Sequence, residues 1–194
     1  MLDDFEASLT KSSKAFIKLV EPLLKNRIGG EFEVVEGVTV KRLAQILDVF
    51  AGIDIWHFDK ENGVRGIASR IQFNQYKRWD SFTIRKERVS TTRTEFEKLN
   101  YAMNNDYAYP NLFLQAYIED ENLVSFALAK TRDIIKIINE GKENEDFEIK
   151  KTNTNQLGQS WFYVVYWERM KQLGYDILVY KKKEVEQFKL SNYC

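Results

Sequence analysis

The chain lacks several things that mark whole classes of protein. It has one cysteine, Cys194, so no internal disulfide and no cysteine-based zinc site can form. One histidine, His57, excludes histidine-pair metal sites and argues against a histidine-centred triad. The longest apolar run, Trp161 to Trp167, is far short of the roughly 18 residues that a membrane-spanning helix needs. Met1 to Phe5 carries Asp3 and Asp4, with no basic segment and no apolar stretch behind it, so it does not read as a signal peptide. These absences predict a soluble, cytoplasmic protein with no membrane partner. Neither Gly-x-x-x-x-Gly-Lys-Ser/Thr nor Gly-x-Gly-x-x-Gly occurs, which speaks against nucleotide phosphoryl transfer. Net charge is also missing, because 29 Lys and Arg balance 29 Asp and Glu. That excludes an indiscriminate polycation. It leaves a local basic face open.

What is present is enough apolar and aromatic material for a core. Of 194 residues, 44% are hydrophobic and 14% aromatic, which fits one domain over 1–194. Phe16, Leu19, Val20 and Leu23 give a helical period within 10–25, which Pro22 should kink or divide before Gly29-Gly30 ends it. Residues 1–30 thus read as an N-terminal helical appendage. A second helix is predicted over 40–50, with Thr39 as its N-cap. The period then switches to strands at 53–58, 64–73 and 81–85, the first two joined as a hairpin through Asp59 to Gly63. Thr92-Arg93-Thr94-Glu95 fits a capping box ahead of the stripe Phe96, Leu99, Ala102 and Met103. Strands follow at 112–118 and 123–129, then a helix to about 139 with Thr131 as its cap. Residues 140–155 read as a loop with a short strand around 147–149. The 156–183 region reads as a strand, a short helix closed by Gly174, and a final strand. Its aromatics fit core packing or a partner surface. The Lys181-Lys182-Lys183 run reads as a solvated end.

Alternate residues of a strand share a face, so Asp54, Trp56 and Phe58 lie opposite Ile53, Ile55 and His57. In the next strand Ala68, Arg70 and Gln72 lie opposite Ile67, Ser69, Ile71 and Phe73. A hairpin register that sets Asp54 beside Arg70 or Gln72 gathers a carboxylate, a guanidinium and an amide, and Thr83 and Arg85 extend that surface. The competing reading is an ordinary Asp54–Arg70 cross-strand pair, worth under about 1 kcal/mol. An acid flanked by two isoleucines after Ala51-Gly52 favours the functional one. Charge adds to it. Residues 31–64 carry 3 basic and 7 acidic side chains, whereas 65–98 carry 9 and 4, and 99–129 are again negative. The basic block, with Arg65, Lys77, Arg78, Arg85, Arg88 and Arg93 as candidate nucleic-acid contacts, is interleaved with Phe73, Tyr76, Trp79 and Phe82. That mixture suits phosphate contact and stacking.

The order helix, strand, strand, strand, helix, strand, with Asp54 in Ala51-Gly52-Ile53-Asp54-Ile55 and a polar strand Ile67-Ala68-Ser69-Arg70-Ile71-Gln72, resembles the PD-(D/E)XK nuclease superfamily. The resemblance covers about residues 38–130. It implies an α+β, restriction-endonuclease-like core over 38–139, with the N-terminal helix and the 156–183 extension added. It further implies metal-dependent phosphodiester hydrolysis on DNA, with Asp54 and Gln72 holding Mg²⁺ and Arg70 stabilising the developing charge. The pattern departs where an acid-x-Lys is expected. Ala68 stands in the acid's place and Arg70 in the lysine's, and arginine stays protonated, so its role is electrostatic. Asp48, Glu95 and Glu97 are the remaining carboxylate candidates. The alternative is a catalytically inactive module that binds nucleic acid or protein, in mobile-element or defence-related biology, with a homodimer among the partner options.

Overall fold

Pro22 shapes the start of the described chain. It has no N–H, and its ring collides with the carbonyl four residues back, which an α-helix interior does not absorb. The computed structural model, which describes residues 11–35, 51–61, 63–73, 80–88, 93–151 and 160–182, places a π-helical turn over Phe16–Val20. That turn hands over to α1 (Glu21–Ile28), so Pro22 sits in the first helical turn, where a missing donor is harmless. The chain nevertheless stays helical from 11 to 28, so Pro22 does not divide it; the π-helical turn just before the proline takes up the missing donor instead. The helix predicted over 40–50 lies outside the described residues.

The remaining elements make a mixed α+β fold, mostly strand, in two open sheets. Strands β1 (Glu31–Val34), β2 (Ile55–Asp59) and β3 (Gly63–Phe73) form an antiparallel run, and β3 then pairs in parallel with β5 (Leu112–Glu119). Beyond β5 come β6 (Asn122–Lys130) and β9 (Ile177–Lys181), both antiparallel, completing six strands. The parallel β3–β5 pair needs a long crossover. It contains β4 (Ser81–Arg88) and α2 (Glu95–Asn104). The strand predicted at 81–85 is therefore present, but it does not extend the β2–β3 hairpin. It joins a second sheet of order β4-β8-β7, with β7 (Glu148–Lys151) and β8 (Ser160–Tyr166). Ser81, Phe82, Thr83 and Ile84 are all buried, so both faces of β4 are covered. Helices α3 (Thr131–Glu140) and α4 (Trp167–Gln172) complete the order. The strands of the 156–183 segment are built into both sheets.

Alternation along the six-stranded sheet splits the core in two. Ile67, Leu114, Ala116, Ile118, Phe126 and Leu128 face Phe16, Val20 and Leu24 of the N-terminal helices. Ala68, Phe113, Tyr117, Ala127 and Ala129 face β4, α2, α3 and Trp167, with Ile134, Ile135, Ile137 and Ile138 of α3 supplying its apolar stripe. This second face also contains buried polar groups. Gln115 and Thr83 are essentially inaccessible and bond to each other, Thr83 Oγ1 donating to Gln115 Oε1 at 3.0 Å. That polar inlay leads toward the site.

Two expected caps are placed differently. The capping box at α2 is Thr94 with Glu97, not Thr92 with Glu95: the Glu97 amide donates to Thr94 Oγ1 and the Thr94 amide to Glu97 Oε2. The helix begins two residues later than the first Thr-x-x-Glu pattern suggests, and that shift releases Glu95. At α3 the N-cap is Lys130 without a side-chain bond, and Thr131 is the first helical residue. Gly174, with φ of 80°, closes α4 as expected.

Candidate functional site

Asp54 is set just ahead of β2 by the chain on both sides of it. Its amide donates to Ile67 O at 3.0 Å, and its carbonyl accepts from the Val35 amide at 2.9 Å. Gly52, at φ of 65°, takes the left-handed turn that brings the chain into this position. Ile53, Ile55 and His57 are buried on one side, so Asp54 projects to the other. The Ser69 amide donates to Asp54 Oδ2 at 2.6 Å and fixes the carboxylate across the hairpin. The buried face holds His57 through its Nε2, 3.1 Å from Gly29 O, and by stacking on Phe32 at 4.6 Å. His57 is a packed histidine.

Arg70 shares its face of β3 with Ala68 and points toward β4 and α2. Its Nη2 donates to Glu95 Oε2 at 2.5 Å and its Nη1 to Thr83 Oγ1 at 3.4 Å. The same Glu95 oxygen accepts the Arg85 amide at 2.9 Å. Glu95 therefore ties α2 to β3 and β4 together. The chain of bonds continues inward from Thr83 to Gln115, which stands opposite Arg70 in the β3–β5 register. Phe162 of β8, opposite Arg85, carries both guanidinium groups near its ring, Arg70 at 5.2 Å and Arg85 at 5.6 Å from the centroid.

Asp54, Arg70, Arg85 and Glu95 border one hollow of about 300 Å³. Among the described residues its charged lining is Asp54, Arg70, Arg85, Arg93, Glu95 and Lys98, four cations against two carboxylates, a formal charge of +2 for that set. Glu95 and Lys98 are three apart on α2 and so share a face of the helix. Such a cationic recess with a fixed carboxylate suits a phosphodiester, whose oxygens accept charge-assisted bonds from guanidinium groups.

Asp54, Arg70, Arg85 and Arg93 of the expected set are brought together here. Gln72 is not on the wall: it lies two residues farther along β3, its Oε1 buried without a hydrogen-bond partner among the described residues. Arg65 stands opposite His57 in the hairpin, on the other face of β3 from Arg70. Lys77, Arg78, Asp48 and the Arg88 side chain lie outside the described residues. An Asp54–Arg70 pair is not what Arg70 forms, since its partner is Glu95. Lys98 and Phe162 are additions. The i, i+3 spacing of Glu95 and Lys98 signals the first of them in sequence, and nothing local signals the second.

Among the described residues no cluster of three His, Cys, Asp or Glu side chains gathers as a metal site. The hollow nevertheless carries two carboxylates, and a hard divalent ion is commonly held by one or two carboxylates together with substrate phosphate and water. Asp54 and Glu95 fit that donor set. Gln72, the other expected ligand, is not among the residues of that wall.

Comparison with known proteins adds one likeness. Over 98 residues, half of this chain, it is 32% identical to a protein described as "Non-structural glycoprotein" from Adelaide River virus. The chain covers only 16% of that protein's length, too little to place it in the same family. No family model matches, and no solved structure matches. No helix among the described residues is long and apolar enough to cross a membrane.

Proposed function

We propose that this is a nuclease-fold protein that engages DNA phosphodiesters in the hollow and hydrolyses them with a divalent ion. The observation that carries the reading is the joining of Asp54 and Glu95 with four cations around one recess. Asp54, held by the Ser69 amide, and Glu95, held on α2, are the residues that would hold Mg²⁺. When bound, the ion supplies phosphoryl polarisation and a water of lowered pKa. Arg70 stays protonated throughout and offers its guanidinium to the phosphoryl oxygens, braced by Glu95 and Phe162. Lys98 and Arg93 hold adjoining phosphates and orient the strand.

One observation favours a second reading, a module that binds without cleaving. Glu95 Oε2 already accepts from both Arg70 and Arg85, which suits a carboxylate whose task is to brace arginines. One experiment separates the two. Plasmid, single-stranded DNA and RNA are incubated with the protein under Mg²⁺ or Mn²⁺, beside Asp54→Ala. Hydrolysis predicts ion-dependent cleavage that falls at least about 100-fold in Asp54→Ala, while binding in EDTA is retained. Cleavage that persists in the variant assigns the chemistry elsewhere. Salt-sensitive binding with no cleavage under either ion supports the module, and no binding to any of them overturns both readings.

A further inference from the structure

Past Arg93, beside the hollow, α2 and the turn after it carry two exposed tyrosines. Glu95, Lys98 and Tyr101 are successive i, i+3 neighbours along α2, a row that winds around the helix from the hollow toward a tyrosine. Arg93, which borders the hollow, places its guanidinium carbon 4.6 Å from the centre of the Tyr101 ring. Beyond it, the Tyr101 and Tyr107 rings lie 5.8 Å apart with 32° between their planes. The fold holds this pair in place. The Tyr107 amide donates to Ala102 O at 3.0 Å, Asn105 Nδ2 donates to Tyr101 O at 2.8 Å, and Asp106 takes φ of 56° to turn the chain back. Yet Tyr101 is 45% and Tyr107 58% exposed, so a fixed aromatic surface is left in water beside the cationic recess that Arg93 borders.

Scattered exposed aromatics need no explanation. This pair is different because Arg93 joins it to the hollow. We propose that Tyr101 and Tyr107 are a stacking platform for an unpaired base of a single-stranded nucleic acid whose adjoining phosphate lies in the hollow. The inference rests on the phosphate-binding reading of the hollow and names the substrate class for it. Every base has a π-face, so such a platform selects unpaired strands over duplex without selecting sequence. In a duplex the bases already stack on one another and offer the tyrosines only an edge.

The test measures anisotropy of labelled single-stranded DNA, single-stranded RNA and duplex DNA in EDTA across a salt series. The proteins are wild type, Tyr101→Ala/Tyr107→Ala, Tyr101→Phe/Tyr107→Phe and Arg93→Met. The alanine pair lowers single-strand affinity roughly 5- to 150-fold for each base released, with the salt slope unchanged. The phenylalanine pair binds as wild type, since stacking does not need the hydroxyl. Arg93→Met flattens the salt slope. An alanine pair that binds single strands as well as wild type, while Arg93→Met weakens them, overturns the platform and spares the hollow. A wild-type preference for duplex also overturns the platform. Indifference of all three probes to Arg93→Met and to salt overturns the hollow itself. The DNA and RNA arms show which backbone the platform accepts.

Discussion

Two arginine–carboxylate pairs of similar chemistry sit in opposite kinds of place. Arg70 and Glu95 meet at 2.5 Å, Arg169 and Asp146 at 2.6 Å, and all four side chains are mostly covered. Arg169 of α4 reaches Asp146 Oδ1 through both Nε and Nη2, and Asp146 Oδ2 accepts the Lys142 amide. That arrangement pins the turn before β7 onto α4. Its lysine neighbour, Lys142, is well exposed and pairs with Glu145. Around Arg70–Glu95, by contrast, three further cations and a second carboxylate border open volume. The pair itself is thus a poor mark of function. The surplus of charge of one sign around a recess is the better one, because that surplus is what an anionic ligand can neutralise.

Arg70→Met is the sharpest way to break the comparison. It removes the guanidinium that faces the hollow and leaves Glu95 with the Arg85 amide as its remaining contact. Affinity for single-stranded DNA falls about 10- to 100-fold, the worth of one charge-assisted contact, and the salt slope falls with it. The matching Arg169→Met leaves affinity unchanged within the error of an anisotropy titration. Equal losses in the two variants mean that Arg70 acts through the fold and contacts no phosphate.

Much of the strand pattern is legible in the sequence, and where it is not the reasons are physical. Ile53, Ile55 and His57 are buried as alternation requires, so Asp54 could be placed on the opposite face without knowing what covers it. The period of 81–85 shows a strand but carries no information about its partner. β4 pairs with β8, whose segment lies about eighty residues away, and only packing of both its faces decides that. Glu95 and Glu97 illustrate a finer ambiguity. The segment 92–97 contains two Thr-x-x-Glu patterns, each able to cap a helix. The frame the helix takes makes Thr94 the cap with Glu97 as its capping-box partner, and gives Glu95 to Arg70. Phe162 was invisible for the same reason as β4: its place over Arg70 and Arg85 follows from a long-range register. Gln72 was the reverse case. Its parity on β3 is that of Arg70, but sharing a face is not sharing a hollow, and two residues of strand rise carry it roughly 6–7 Å away.

On the structural side of the comparison the expected effects are smaller and appear in stability. Arg169→Met removes two contacts to Asp146 from a pair that water partly screens, so the cost is about 1 kcal/mol. For a chain of this length that lowers the melting temperature by roughly 2–4 °C. A loss several times larger makes the pair a keystone of the second sheet and reverses its ranking against the Arg70 pair.

The smallest effect is the pH dependence of that same cost. The Asp146 carboxyl is held below its ordinary value of 3.8, first by the Arg169 hydrogen bonds and then by the Lys142 amide. A depressed carboxylate contributes stability that is present above the unfolded value and lost as pH falls through the folded one. The gap between wild type and Arg169→Met is therefore flat from neutral pH down to about pH 5. It narrows as pH drops past 3.8 and closes below the depressed folded value, because a protonated Asp146 no longer rewards the guanidinium. Urea unfolding of both proteins between pH 2.5 and 7 measures the gap directly. If it instead stays constant across that range, Arg169 stabilises through the packing of its carbon stem and not through its charge.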